Sequence, residues 1–111
     1  MRSGAANHGT ALPLISVVVC TRNRAAMLSD LLSSMVKLLV PHHLQWELLV
    51  IDNGSTDEAA RVVARYQAQL PVRRIEEPVP GLSHARNRGV REARGRYICW
   101  TDDDALVDPE W

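Results

Sequence analysis

Ile15-Ser16-Val17-Val18-Val19-Cys20-Thr21, followed at once by Arg22-Asn23-Arg24, is the stretch on which the fold turns. It is apolar almost throughout and rich in β-branched side chains, so it reads as a strand covered on both faces, as strands of a parallel sheet are. A strand with one wet face would alternate instead. The abrupt polar run 21–24 then marks the carboxyl end of that strand.

Working outward, Leu28, Leu31, Leu32, Met35 and Leu39 recur at helical spacing and predict one apolar helix stripe, ended by Pro41. Trp46 to Ile51 (WELLVI) is a second covered strand, closed by Asp52-Asn53-Gly54. Ser55-Thr56-Asp57-Glu58 has the pattern of a capping box, with Ser55 accepting from residue 58 and Glu58 reaching back. Ala59, Val62, Val63, Tyr66 and Leu70 make the stripe of a second helix, stopped by Pro71. Val72 to Ile75 is a short third strand, and a rigid Glu77-Pro78-Val79-Pro80-Gly81 loop leads into a third helix from Leu82 to Ala93, with Gly95 as its expected cap. Tyr97 to Thr101 is a fourth, buried strand. Strand and helix alternate throughout, which predicts an α/β fold with a parallel, doubly wound sheet.

The bulk numbers narrow the class. At 111 residues there is room for one domain. Formal net charge is zero, with 13 basic and 13 acidic residues, which argues against a general nucleic-acid binder. Cys20 and Cys99 both lie in apolar runs and suggest a reducing compartment, not a disulfide framework. No apolar stretch reaches the roughly 18 residues of a membrane span. Residues 1–13 hold no apolar core of a secretory signal and read as a disordered lead-in. His8, His42, His43 and His84 have no metal-ligand spacing among them.

Polar clusters fall where the strands end: 21–24 after the first, Asp52-Asn53-Gly54-Ser55 after the second, and Asp102-Asp103-Asp104 after the fourth. Ligands of open α/β sheets bind at those carboxyl ends. Three adjacent carboxylates repel unless a cation or hydrogen bonds intervene, and hard oxygen ligands suit Mg²⁺ or Mn²⁺, which also hold phosphates. An acidic turn capping the next segment is the competing reading. On the third helix, Arg86 falls within the arc of Leu82, Ala85, Gly89 and Ala93, so a charge on the packing face is expected, paired with an Asp or reaching a diphosphate. Neither a Walker-type loop nor G-x-G-x-x-G is present.

The segments ISVVVCTRNR (15–24), LLVIDNGSTD (48–57), PGLSHARNRGVREARG (80–95) and YICWTDDDALVDPEW (97–111) together resemble the nucleotide-sugar half of family-2 inverting glycosyltransferases with the GT-A fold, a Rossmann-like parallel sheet with flanking helices. The resemblance assigns 14–111 to the donor-binding part of such a domain. It implies that Thr21, Arg22, Asn23 and Arg24 border the base and ribose, and that Asp52 contacts one of them. Many relatives carry Asp where this chain has Asn53, which would tune base choice. Asp102 and Asp104 would be the outer residues of the DxD motif, Asp104 on the metal and Asp102 on ribose or metal, with Asp103 able to substitute. Arg86 would meet the diphosphate.

Mn²⁺ or Mg²⁺, a nucleoside-diphosphate-sugar donor and a saccharide, lipid or protein acceptor follow as expected partners, in the cytoplasm or at the inner membrane face. The family's catalytic base lies beyond the DxD, so the chain is expected to be a fragment that ends after this motif, inactive alone, with its fourth strand exposing an apolar edge prone to self-association. A nucleotidyltransferase-like domain and a non-catalytic metal or nucleotide module are the alternative functions. A nucleotidyltransferase would want a glycine-rich loop after the first strand, and a receiver-like module would want acids there.

Overall fold

The computed structural model describes residues 12–41 and 43–109. Most of the predicted lead-in, His8, His42 and Trp111 lie outside them. The elements run β1 (Ile15–Thr21), α1 (Ala25–Val36), β2 (Trp46–Asp52), α2 (Ala59–Tyr66), β3 (Val72–Glu76), α3 (Leu82–Glu92) and β4 (Tyr97–Asp102). The four strands form one sheet in the order β3-β2-β1-β4, and every pairing is parallel. The chain thus winds outward from β1 to β3, then returns past β1 to β4. That reversal makes the gap between the carboxyl ends of β1 and β4 the switch point where such sheets bind ligands.

The continuous apolar strands are explained by cover on both faces. Side chains alternate across the sheet. Val17, Val19, Leu48 and Val50 meet Leu28, Leu31, Leu32 and Met35 of α1 and Val62 and Val63 of α2. On the other face Val18, Leu49 and Ile51 meet Ala85 of α3. α3 lies close because residue 89 has no side chain: a Cβ there would stand 2.7 Å from Val18 Cγ1.

Several local expectations are corrected. α1 ends at Val36, where the Lys37 amide closes onto the carbonyls of Ser34 and Met35. Leu38 turns toward the core in place of Leu39, which is exposed and gives its amide to the Pro109 carbonyl. Gly95 does not cap α3 with a left-handed turn; Ala93 is the extended residue after the helix. Gly95 instead admits a close crossing, since a Cβ there would lie 2.6 Å from the Ser16 amide nitrogen. β4 is not buried on both faces. It is an edge strand with Tyr97 and Trp100 exposed and Ile98 and Cys99 half-buried. Cys20 and Cys99 are free and half-buried, and they pack on opposite faces. No helix among the described residues is long and apolar enough to cross a membrane.

Gly95→Ala would drive a methyl group into backbone atoms of β1 that cannot step aside. We expect a loss of roughly 1–3 kcal/mol in denaturant unfolding. An unchanged midpoint would contradict the close crossing.

Candidate functional site at the carboxyl edge of the sheet

The site is built on three polar loops stitched to one another. Thr21, the last residue of β1, is buried and donates its hydroxyl to Asp103 Oδ2 at 3.0 Å. Asn23 takes a left-handed backbone (φ 54°), which Asn tolerates better than most residues. From there its amide reaches Ser55 Oγ at 2.9 Å, and its Oδ1 accepts from the Thr56 amide at 2.7 Å. Arg24 sends Nη1 to Asp103 Oδ1 at 3.2 Å and lies 3.8 Å from Asp104 Oδ2.

The predicted capping box does not form. Ser55 is occupied by Asn23, and Glu58 pairs with Arg61. Asp57 does the capping instead, accepting from the Ala59 amide at the start of α2 and from the Ala25 amide at the start of α1. One carboxylate therefore serves two helix N-termini, where backbone amides lack intrahelical partners and negative charge is favoured.

At the end of β2, Asp52 is 1% exposed. Its Oδ1 accepts from the Ser55 amide and its Oδ2 from Arg74 Nε, both at 2.9 Å. Burial pushes this carboxyl up, but the hydroxyl and amide of Ser55 and the Arg74 guanidinium outweigh it and hold the group below the usual carboxylate range. Asn53, also buried, spends its side chain on the loop after β3. Nδ2 donates to the carbonyls of Glu77 and Val79, and Oδ1 accepts from the Gly81 amide. Glu77 is buried in the same loop. The Val79 amide, then Arg88, hold its carboxyl below its ordinary range.

The three aspartates after β4 part company. A turn closed by the Ala105 amide on the Asp102 carbonyl carries Asp103 and Asp104. Asp103 is buried against Thr21 and Arg24, whereas Asp102 and Asp104 are exposed. Among the described residues no three acidic, histidine or cysteine side chains converge on one point. Magnesium is commonly held by one or two carboxylates, with waters and substrate phosphates completing the shell. Asp102 and Asp104 are exposed, which leaves them open to that mode, and they do not build a protein-only cage.

A cleft of about 400 Å³ opens at this edge, between the ends of β1 and β4 and the start of α3. Arg22, Arg24, Asn53, Arg86, Asp102 and Asp103 line its polar side. Arg86 is not buried as the helix arc suggested; only Ala85 and Gly89 of α3 are, and Arg86 is exposed in the cleft wall. Burial raises the Cys20 thiol in the same wall, with the Arg86 charge opposing and Asp103 adding. His84 is exposed. Sequence reasoning missed Arg74, the Glu77–Arg88 pair and the apolar wall of Leu82 and Trp100. A strand arginine two residues short of a strand end, beside a strand-ending aspartate, was the available signal for Arg74.

A doubly wound parallel sheet with a charged cleft at its switch point defines a ligand-binding α/β protein. Comparison makes the class specific: the chain belongs to glycosyl transferase family 2, whose sequence profile matches residues 16–111. Validoxylamine A glucosyltransferase of Streptomyces hygroscopicus subsp. jinggangensis is 33% identical over 110 residues, covering 97% of this chain and 25% of the relative. Hyaluronan synthase of Pasteurella multocida is 32% identical over 99 residues, 87% of this chain and 10% of its own. The fold is that of GT-A enzymes. Staphylococcus aureus TarS 1-349 in complex with UDP superposes with a TM-score of 0.79 at 28% identity, over 86% of this chain and 29% of that one. Mannosyltransferase PcManGT of Pyrobaculum calidifontis, in complex with GDP-Man and Mn²⁺, gives 0.75 at 30% identity, over 96% and 32%. The chain thus spans a quarter or less of these two curated relatives and about a third of these solved chains.

Because the folded-state pKa of Asp52 is depressed, its bonds to Ser55 and then to Arg74 stabilise the fold above the ordinary carboxylate pKa of about 3.9 and lose that effect as pH falls through the lower folded value. Arg74→Gln is expected to cost about 2 kcal/mol at neutral pH and to flatten the acid limb of stability against pH. Parallel curves for the two proteins would contradict this role.

Proposed function

We propose that this chain binds the nucleoside-diphosphate part of a sugar donor in the cleft at the β1–β4 switch point, as the donor-binding portion of an inverting, metal-dependent glycosyltransferase. The observation that carries the reading is the convergence of Arg22, Arg24, Arg86, Asp102 and Asp103 on that cleft, with Asp104 next in the same turn and 3.8 Å from Arg24. Among the described residues Arg22 and Arg86 make no ion pair with a carboxylate, which leaves both cations for phosphate, a group that guanidinium recognises well.

Asp104, with Asp102 beside it, would hold the Mg²⁺ or Mn²⁺. Once bound, the cation supplies positive charge against the negative charge that grows on the departing nucleoside diphosphate. Thr21 and Arg24 also hold Asp103 inward, which leaves the two outer carboxylates exposed at this edge. The 21–24 loop borders base and ribose. Asp52, buried and bonded to the Ser55 amide and Arg74, serves this site by fixing the floor beneath it. Inversion also needs a carboxylate to take the acceptor's proton. We assign that role to no described residue. TarS with UDP and PcManGT with GDP-Man and Mn²⁺ support the donor class.

Calorimetric titration of the folded chain with UDP, GDP and dTDP, with and without Mn²⁺, tests the proposal. One nucleotide should bind in a metal-dependent way, and Asp104→Ala should weaken it by roughly tenfold or more, about 1.4 kcal/mol per decade. Equal binding by the variant, or none by folded wild type, would overturn it. The outer edge of β4, which pairs with no further strand among the described residues and leaves Tyr97 59% exposed, is proposed to drive self-association of the chain. Sedimentation equilibrium should show more than monomer; a monomer at all loadings would contradict that edge's role.

A further inference from the structure

Asn53 makes a demand that only a carboxamide meets. Its two Nδ2 protons go to the carbonyls of Glu77 and Val79, both at 2.9 Å, and its Oδ1 takes the Gly81 amide at 3.0 Å. Two acceptors and one donor around one side chain fix which way the amide lies. The backbone of the same residue is tied down as well, since its amide donates to the Thr21 carbonyl at 2.9 Å. Asn53 therefore connects the end of β1, the end of β2 and the loop 77–81.

That loop decides where α3 begins. Gly81 has a φ of 123°, a conformation that favours glycine, and its carbonyl accepts the Ala85 amide in the first turn of the helix. The helix then presents Leu82, Ala85 and Arg86 to the cleft. Glu77 strengthens the same path by accepting from the Val79 amide and from Arg88. The side chain of Asn53 is thus three hydrogen bonds deep in a loop and has no proton left for a ligand.

We infer that Asn53 is a positioning residue of the donor cleft: its carboxamide clasps the 77–81 loop so that the first turn of α3, and Arg86 with it, is held at the phosphate-binding wall. The inference rests on the donor-binding reading above and departs from a role for Asn53 in reading the base. An aspartate at this position could keep the bond to the Gly81 amide, but an ionised carboxylate has no proton for the two carbonyls and would face their oxygens within a buried site.

The test pairs Asn53→Asp with Asn53→Ala in the full chain. For each folded variant it measures affinity for UDP, GDP and dTDP with Mn²⁺, and backbone hydrogen exchange of 77–86. The inference expects affinity for whichever nucleotide binds to fall roughly tenfold or more in the Asp variant and less in the Ala variant, which adds no charge. The preference among the three nucleotides should stay unchanged, with faster exchange centred on Val79 and Gly81. A changed preference with normal loop protection would overturn it in favour of base reading. Unchanged affinity in folded variants would reduce Asn53 to a structural residue and also overturn it. If wild type binds no nucleotide, the donor-site proposal fails by itself. The exchange data then decide the clasp separately, and unaltered protection of 77–86 in both variants would remove it.

Discussion

The inward turn of Asp103 is the constraint on which the rest of the site depends. Three consecutive carboxylates cannot crowd one dry pocket, because each charge raises the cost of ionising the next. Here the middle one is taken out of the group, buried against the Thr21 hydroxyl and the Arg24 guanidinium. The turn that carries it then aims Asp102 and Asp104 outward. Arg24 is half-exposed, so the ion pair contributes modestly to global stability. Its effect is geometric: it joins the loop after β1 to the loop after β4 across the switch point of the sheet.

The neighbouring loops follow the same rule, with side chains from one strand end satisfying backbone amides at another. Asn23 crosses to Ser55 and Thr56, Asp57 caps both α1 and α2, and Asn53 holds the 77–81 loop. Buried polar networks stabilise only when each member is satisfied. Such a fully bonded rim costs little reorganisation when a ligand arrives, which is how preformed sites gain affinity. The cleft's cations with no carboxylate partner among the described residues are long side chains, Arg22 and Arg86, exposed at its wall.

The fold was largely legible because the strands are covered on both faces, and burial writes a continuous apolar run into sequence. β1 carries the predicted bounds, and the predicted starts of β2, β3, α3 and β4 hold. What failed was local reasoning where a distant partner won. The 55–58 capping box lost Ser55 to Asn23, thirty-two residues away. Gly95 follows a helix, where a glycine usually caps, but its small size is used against β1 instead. The arc that placed Arg86 inside assumed a broad packing face, whereas Gly89 lets α3 rest on a narrow one. That a charged cleft would open at this edge was legible from strand ends alone. The split among the three aspartates was not, because nothing local distinguishes Asp103 from its neighbours; the distinction comes from Thr21 and Arg24, some eighty positions earlier.

The outer aspartates and the β1 loop are proposed to form one cation-dependent nucleotide site. Paramagnetic broadening of backbone amide signals by Mn²⁺, in the labelled full chain with a nucleoside diphosphate present, tests it most directly. Loss of signal is expected to centre on Asp102 to Asp104, to extend to Thr21 and Arg24, and to be much weaker without nucleotide. Broadening centred on the acidic residues at the other end of the sheet, Glu47 and Glu92, or none when nucleotide is added, would contradict it.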